Sequence, residues 1–322
     1  MTKFKPDDFH GIHAILYALF DVNEQLDRAA MRRQVEICLA TGVHGMAALG
    51  LATEVAKLTE AERRTIMDWT AEDTAGKVPL AFTIFGSSVA EQVAQVRHAE
   101  SVGADWVILQ PPPAGSYGAP EYIKFFGRVA EATDLPVAIQ NAPAFFGRGL
   151  SSDEIRELVT LHPNIRLIKG EGPVTDIAGL IERTEGRIPV FNGRGGLELV
   201  DNFRIGCRGM ILAPDCADYA VRAYHAFRAG DKSRPRLNMQ EYCQLPSSSC
   251  KASRAWSVTA SGCSAPAPAS PYMTGLRRCG QASLASQWWS ALRLVWVGCL
   301  AERQLPFSRS SVHPTGRTWR RL

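Results

Sequence analysis

Eight short apolar runs, rich in β-forming residues, recur along the chain with helix-like segments between them. They are HGIHAILYALF (10–20), GMAALG (45–50), PLAFTIF (79–85), DWVILQPP (105–112), PVAIQNAP (136–143), IRLIKGEG (165–172), IPVFNGRGG (188–196) and GMILAPD (209–215). The intervening segments, among them DRAAMRRQVEICLATG, SVAEQVAQVRHAESVG, PEYIKFFGRVAEAT and SSDEIRELVTLHP, carry apolar residues at helical spacing, and several stop at Gly or Pro. Strict βα alternation predicts a parallel sheet. Eight units in about 220 residues favour closure into a (β/α)8 TIM barrel over an open doubly wound sheet. No GxGxxG turn follows the first strand to suggest a dinucleotide site. The fold class is therefore α/β, with a catalytic barrel over residues 1–236. In such a barrel the loops after the strands converge on one cavity, which here gathers GLATE, QPPPAGSYG, QNAPAFFG, KGEG, NGRGG and APD.

Composition narrows the class of partner. With 46% hydrophobic and 21% charged residues, the 322-residue chain reads as an ordinary globular protein. Its formal net charge of +4 comes from the tail: residues 237–322 hold 10 Lys and Arg against 2 Asp and Glu, leaving 26 basic and 30 acidic residues before them. A mildly acidic barrel has no basic stripe for nucleic acid. No run reaches the ~18 apolar residues of a membrane span, and MTKFKPDDFHG lacks the apolar core of a signal peptide, so the expected location is cytoplasmic. Cys38, Cys207 and Cys216 lack metal-ligand spacing and read as reduced structural thiols. His10, His13 and His44 likewise offer no convergent ligand set, and no metal site is expected.

Lys169 is the residue most in need of a reason. It stands in the apolar strand IRLIKGEG, where a charged side chain is excluded unless it faces a partner or a cavity. A desolvated lysine loses affinity for its proton, and the neutral amine can attack a ketone to form a Schiff base that draws electrons from the neighbouring carbon. A rim lysine that snorkels to solvent, or is salt-bridged to Glu171, fits the strand equally well. Glu171 comes two residues later, so period-two geometry puts both side chains on one face, as proton shuttle or as counter-ion. Glu54 comes after the second strand, with Thr53 placed to cap the next turn.

Taken in order, LYALFDVNEQLD, TGVHGMAALGLATEVAKLTEAERR, VGADWVILQPPP, EATDLPVAIQNAP, HPNIRLIKGEG and GCRGMILAPD resemble the dihydrodipicolinate synthase and N-acetylneuraminate lyase family of class I aldolases, lyases and dehydratases. The resemblance spans residues 10 to 230. It implies that Lys169 forms an imine with a 2-oxo acid such as pyruvate, that no cofactor is needed beyond this covalent imine, and that the assembly is a homotetramer of dimers. Three departures bear on the reaction. The family's Gly-Thr-Thr-Gly-Glu carboxylate grip stands here as Gly50-Leu51-Ala52-Thr53-Glu54, leaving backbone N–H groups and Thr53 to do that work. The family's Tyr-Asn on the fifth strand is Gln140-Asn141, and an amide is a poor proton carrier near pH 7. The arginine that dihydrodipicolinate synthases place after this strand is replaced within Pro143-Ala144-Phe145-Phe146-Gly147 by aromatic residues. Gln140 together with Glu171 is closer to the branch that dehydrates 2-keto-3-deoxy sugar acids.

Arg194, next to Gly193 in NGRGG, is a candidate carboxylate clamp, the competing reading being a loop arginine paired with Glu198. A phosphate site at the same glycines is the weaker alternative to a tight turn. Tyr117 aligns near a tyrosine that the family places at a subunit contact. Glu54, Glu171 and a bound water are the proton carriers available. The leading function is a Schiff-base-forming lyase of 2-oxo acids; the alternatives are dihydrodipicolinate synthase itself and a catalytically silent barrel that binds a small acid. From about residue 238 the helical pattern stops, and the tail holds five of eight cysteines and five of seven tryptophans. We read residues 237–322 as a frame-shifted stretch in place of the family's C-terminal helices, because a one-base shift of suitable codons yields MQGIAGMVCYGKRLFGARAGIPVHDRA. Its WWSALRLVWVG favours aggregation if exposed.

Overall fold

The computed structural model describes residues 4–115 and 117–230, so the reading of residues 237–322 lies outside the described part. Along the chain run β1 (Gly11–Ile15), α1 (Arg28–Thr41), β2 (Gly45–Ala48), α2 (Glu60–Thr74), β3 (Leu80–Ile84), α3 (Val89–Ser101), β4 (Trp106–Leu109) and α4 (Ala119–Ala130). After them come β5 (Val137–Asn141), α5 (Pro143–Phe146), α6 (Ser152–Leu161), β6 (Ile165–Gly170), α7 (Val174–Arg183), β7 (Val190–Asn192), α8 (Leu199–Arg204), β8 (Gly209–Leu212) and α9 (Ala217–Arg228). The strands pair in parallel in chain order, and β8 returns to β1, closing the (β/α)8 barrel that alternation predicts.

Local chemistry sets the helix starts. Asp27 accepts from the Ala30 N–H to open α1, while Thr59 with Glu62 and Ser151 with Glu154 form reciprocal caps on α2 and α6. These caps satisfy N–H groups that would otherwise lack partners where each helix leaves a loop. The strands are shorter than the apolar runs that announce them. The run 10–20, for example, yields only five strand residues, and its remainder leaves the sheet as part of the βα loop.

The core has two layers. Outward-facing strand residues pack with the helices in one large cluster, and a second cluster fills the lumen with Phe9, Ile15, Ala47, Ala81, Trp106, Ile108, Ala138, Leu167, Phe191 and Ile211. Two-residue alternation turns the next same-face side chain of each strand to this interior, nearer the carboxyl ends: Gln110 after Ile108, Gln140 after Ala138, and Lys169 after Leu167. The other end of the lumen is closed by rings. His13 lies 5.0 Å from Phe191 and 5.8 Å from Trp106 between ring centroids, and Gly45 is required beside it because any Cβ there would collide with the imidazole.

Candidate active site

Lys169 and Gln140 are register partners on β6 and β5, and both are buried. A rim lysine snorkelling to solvent is ruled out by the 3% exposure of Lys169. Its Nζ lies 3.1 Å from Glu171 Oε1, so the charged group of β6 meets its counter-ion inside the barrel. Gln140 Nε2 donates to the same carboxylate oxygen at 3.1 Å, and the Arg194 backbone N–H donates to Glu171 Oε2 at 3.0 Å. Three donors from three consecutive strand ends therefore converge on one carboxylate, which offsets the cost of burying it. Gly193 makes the last of these possible, because a side chain at 193 would occupy the space taken by the Glu171 carboxylate.

Other residues singled out in the sequence sit differently. Asn141 is half-buried, and its amide holds the loop after β5, donating to Leu150 O at 2.9 Å and accepting from Leu150 N at 2.8 Å. Thr53 does not cap the following turn as expected. Its hydroxyl donates to Leu16 O at 2.6 Å and accepts from Gly50 N at 3.1 Å, tying the second βα loop to the end of the first strand; the helical cap falls to Thr59. Glu54, at φ +57°, turns outward to Lys57 Nζ at 2.7 Å rather than toward Lys169. The N–H groups of Leu51, Ala52 and Thr53 make no hydrogen bond to another described residue. The Arg194 side chain pairs with Glu198 at 2.9 Å, on a 3-10 turn over Arg194–Gly196 with positive φ at each residue. Tyr117 is an exposed loop residue whose ring meets Tyr122. Among the described residues no three His, Cys, Asp or Glu side chains gather as metal ligands, and no helix is long and apolar enough to cross a membrane.

Two buried polar residues at this end carried no signal in the sequence. Gln110, just past β4, donates from Nε2 to Gln140 Oε1 at 2.9 Å. Thr83 on β3 keeps its hydroxyl wholly buried, with no partner among the described residues, beside Gly50. Outward from Lys169, the interior holds an ion pair and then two amides in series.

A buried lysine at the carboxyl end of the sixth strand of a closed barrel is joined here by sequence similarity along most of the chain. Residues 8–261 match the model of the dihydrodipicolinate synthetase family. The chain belongs to that family. Its members are lyases, and so is this protein. A 4-hydroxy-tetrahydrodipicolinate synthase of Methanoculleus marisnigri is 30% identical over 243 residues, covering 74% of this chain and 82% of the relative. YagE of Escherichia coli, named as a candidate 2-dehydro-3-deoxy-D-gluconate aldolase, is 26% identical over 74% of this chain and 80% of its own. The crystal structure of YagE in complex with pyruvate superposes with a TM-score of 0.68 at 25% identity, covering 70% of this chain and 78% of YagE. A dihydrodipicolinate synthase variant described as monomeric shares the fold at a TM-score of 0.68 and 20% identity, over 74% of this chain and 81% of its own.

Proposed function

We propose that this lyase condenses Lys169 with the carbonyl of a 2-oxo acid and then breaks or forms a bond beside that carbon, as a pyruvate-type aldolase or a 2-keto-3-deoxy sugar acid dehydratase. The observation that carries the reading is the buried Lys169–Glu171 pair at 3.1 Å. Glu171 takes the ammonium proton, the freed Nζ attacks C2 of the substrate, and a second Nζ proton passes to the former carbonyl oxygen to give the neutral carbinolamine. Returned to the carbinolamine hydroxyl, the proton on Glu171 lets it leave as water, and the iminium that remains accepts electron density from C3. Gln140 holds Glu171 and carries no proton itself. The N–H groups of Leu51, Ala52 and Thr53 are the donors proposed for the substrate carboxylate, with Arg194 reaching it once released from Glu198. No step draws on a cofactor.

Dihydrodipicolinate synthase activity is the less favoured reading, although relatives carry that name. Phe145 and Phe146 come after β5, and the next arginine, Arg148, is committed elsewhere, donating to the main-chain carbonyls of Pro113 and Gly115. For assembly we keep the homo-oligomer that the resemblance implies, to be measured by sedimentation, and for location the cytoplasm. Borohydride reduction in the presence of pyruvate is expected to add the ligand's mass at Lys169, located by peptide mapping. Trapping that persists in Lys169→Ala would remove the mechanism. Turnover assayed on pyruvate with aldehydes and on 2-keto-3-deoxy sugar acids separates the aldolase from the dehydratase.

A further inference from the structure

We propose that Gln110 is a positioning residue, which fixes the amide of Gln140 so that an N–H, and not a carbonyl oxygen, faces Glu171. The inference rests on the imine reading for its catalytic consequence, but the positioning itself does not. Polarity decides the orientation. An ionised carboxylate only accepts hydrogen bonds, so Gln140 must turn Nε2 toward Glu171 Oε1, and its Oε1 is then left pointing along the barrel wall. That oxygen is buried, with Gln140 only 2% exposed, and would cost free energy without a donor. Gln110 Nε2 supplies the donor at 2.9 Å, itself on a residue only 1% exposed.

The position of Gln110 is fixed from both sides of its main chain. Its N–H donates to Ile84 O at 3.1 Å, and its carbonyl accepts from Gln92 Nε2 at 2.9 Å, with Gln92 also donating to Gly86 O at 3.1 Å. Pro111, Pro112 and Pro113 come next, each with a restricted φ. The side chain thus leaves a stiff piece of backbone and reaches the next strand. The groups that face the Glu171 carboxylate are Lys169 from its own strand, Gln140 from β5, and the Arg194 N–H from the loop after β7, whose guanidinium is paired with Glu198. Of these only Gln140 can present either a donor or an acceptor. Glu171 selects the donor, and Gln110 holds that orientation by pairing the oxygen at the other end of the amide.

Four variants, read by amide NMR, deuterium exchange and melting curves, test this on the full chain. Gln110→Met keeps the bulk and loses the donor. Gln110→Glu keeps the shape, but when ionised demands an N–H from Gln140 in competition with Glu171. In the ligand-free protein, the side-chain amide protons of Gln140, assigned by their loss in Gln140→Met, are expected as a distinct pair in the nitrogen-resolved NMR spectrum. In Gln110→Met that pair is expected to shift or broaden as the amide loses its anchor. In deuterium exchange into the methyl group of pyruvate, Gln110→Met is expected to lower kcat about tenfold, the worth of one buried hydrogen bond, with KM within about twofold. Gln110→Glu is expected to lose more at neutral pH and to recover toward acid, where a protonated Glu donates again, with melting curves at each pH separating this from unfolding. Gln110→Met with Gln140→Met is expected to be no worse than Gln140→Met alone, because one residue acts through the other. An unchanged Gln140 amide pair, a Gln110→Glu milder than Gln110→Met, or losses that multiply in the double variant overturn the proposal. If wild-type protein exchanges no deuterium, the imine reading fails, while the amide spectrum still decides the role of Gln110.

Discussion

The two ends of the barrel lumen are built on the same eight strands and hold opposite contents. At the amino end, Phe9, Trp106 and Phe191 stack around His13, with centroid separations of 5.4 Å for Phe9 and Trp106 and 5.7 Å for Trp106 and Phe191. At the carboxyl end, Lys169, Glu171, Gln140 and Gln110 form a chain in which each link has a partner. The difference shows where unpaired polar atoms are tolerated. Both nitrogens of His13 and the Trp106 indole N–H lack partners among the described residues, and the ring packing carries that cost. At the other end the buried groups are charged, and a missing partner would leave a buried ion uncompensated.

Replacing Lys169 by Ala is expected to give the largest change in activity. Pyruvate-dependent exchange should fall by about three orders of magnitude or more, since the proposed nucleophile is lost. Thermal unfolding should also fall, because Glu171 stays buried without its cation and keeps only two hydrogen-bond donors. A variant that exchanged at a tenth of the wild-type rate would erase the functional contrast between the two ends. Trp106→Ala should cost the fold and leave the activity. A fully buried Trp removed from packed rings costs about 3 to 5 kcal/mol, measurable by denaturant melts, while the folded fraction should keep its kcat.

The contrast is sharpened next by pH. Burial, with the nearby His44 charge as a smaller cause, lowers His13 from 6.5 to about 3, whereas in the unfolded chain the imidazole titrates at its ordinary value. Above pH 6.5 both states hold His13 neutral and nothing is lost. Below it the unfolded state takes a proton that the folded state refuses, so stability falls as pH drops from about 6.5 toward 3. Between pH 7 and pH 5 this one group should remove about 2 kcal/mol, and His13→Leu should remove that share of the pH dependence from urea melts. His44, lowered to about 4 chiefly by burial, adds a second slope of the same sign that ends nearer pH 4.

A strand pattern can encode only part of this arrangement. Periodicity speaks for one strand at a time, so the eight runs, the barrel, and the common face of Lys169 and Glu171 are legible from spacing alone. Gln110 is not, because its importance depends on β4 and β5 lying side by side in one register, and ILQPPP has no local feature that marks the glutamine. Thr53 looks like a cap because a Thr before a Glu usually is one. The tertiary approach of the Leu16 carbonyl takes its hydroxyl instead, and Thr59 caps the helix. The runs overshoot the strands at their carboxyl ends for a related reason: those residues are apolar enough to look like sheet, yet they turn off to build the loops of the site.

Arg194 is where the smallest effect carries the finest distinction. Its guanidinium and the Val174 N–H both donate to Glu198 Oε2, at 2.9 and 3.1 Å, so removing the side chain leaves Glu198 still held. A partly exposed ion pair of this kind contributes about 0 to 1 kcal/mol, and Arg194→Ala should shift the melting temperature by a few degrees at most. The backbone N–H that holds Glu171 survives in the variant, so the site keeps its carboxylate geometry. Any kinetic change must then come from the guanidinium alone. If it leaves Glu198 to bind the substrate carboxylate, KM for pyruvate rises about tenfold at constant kcat, as for a lost charge-assisted contact made equally in ground and transition states. If KM is unchanged, the arginine only closes its own turn, and the loop N–H groups of Leu51, Ala52 and Thr53 are the whole of the grip.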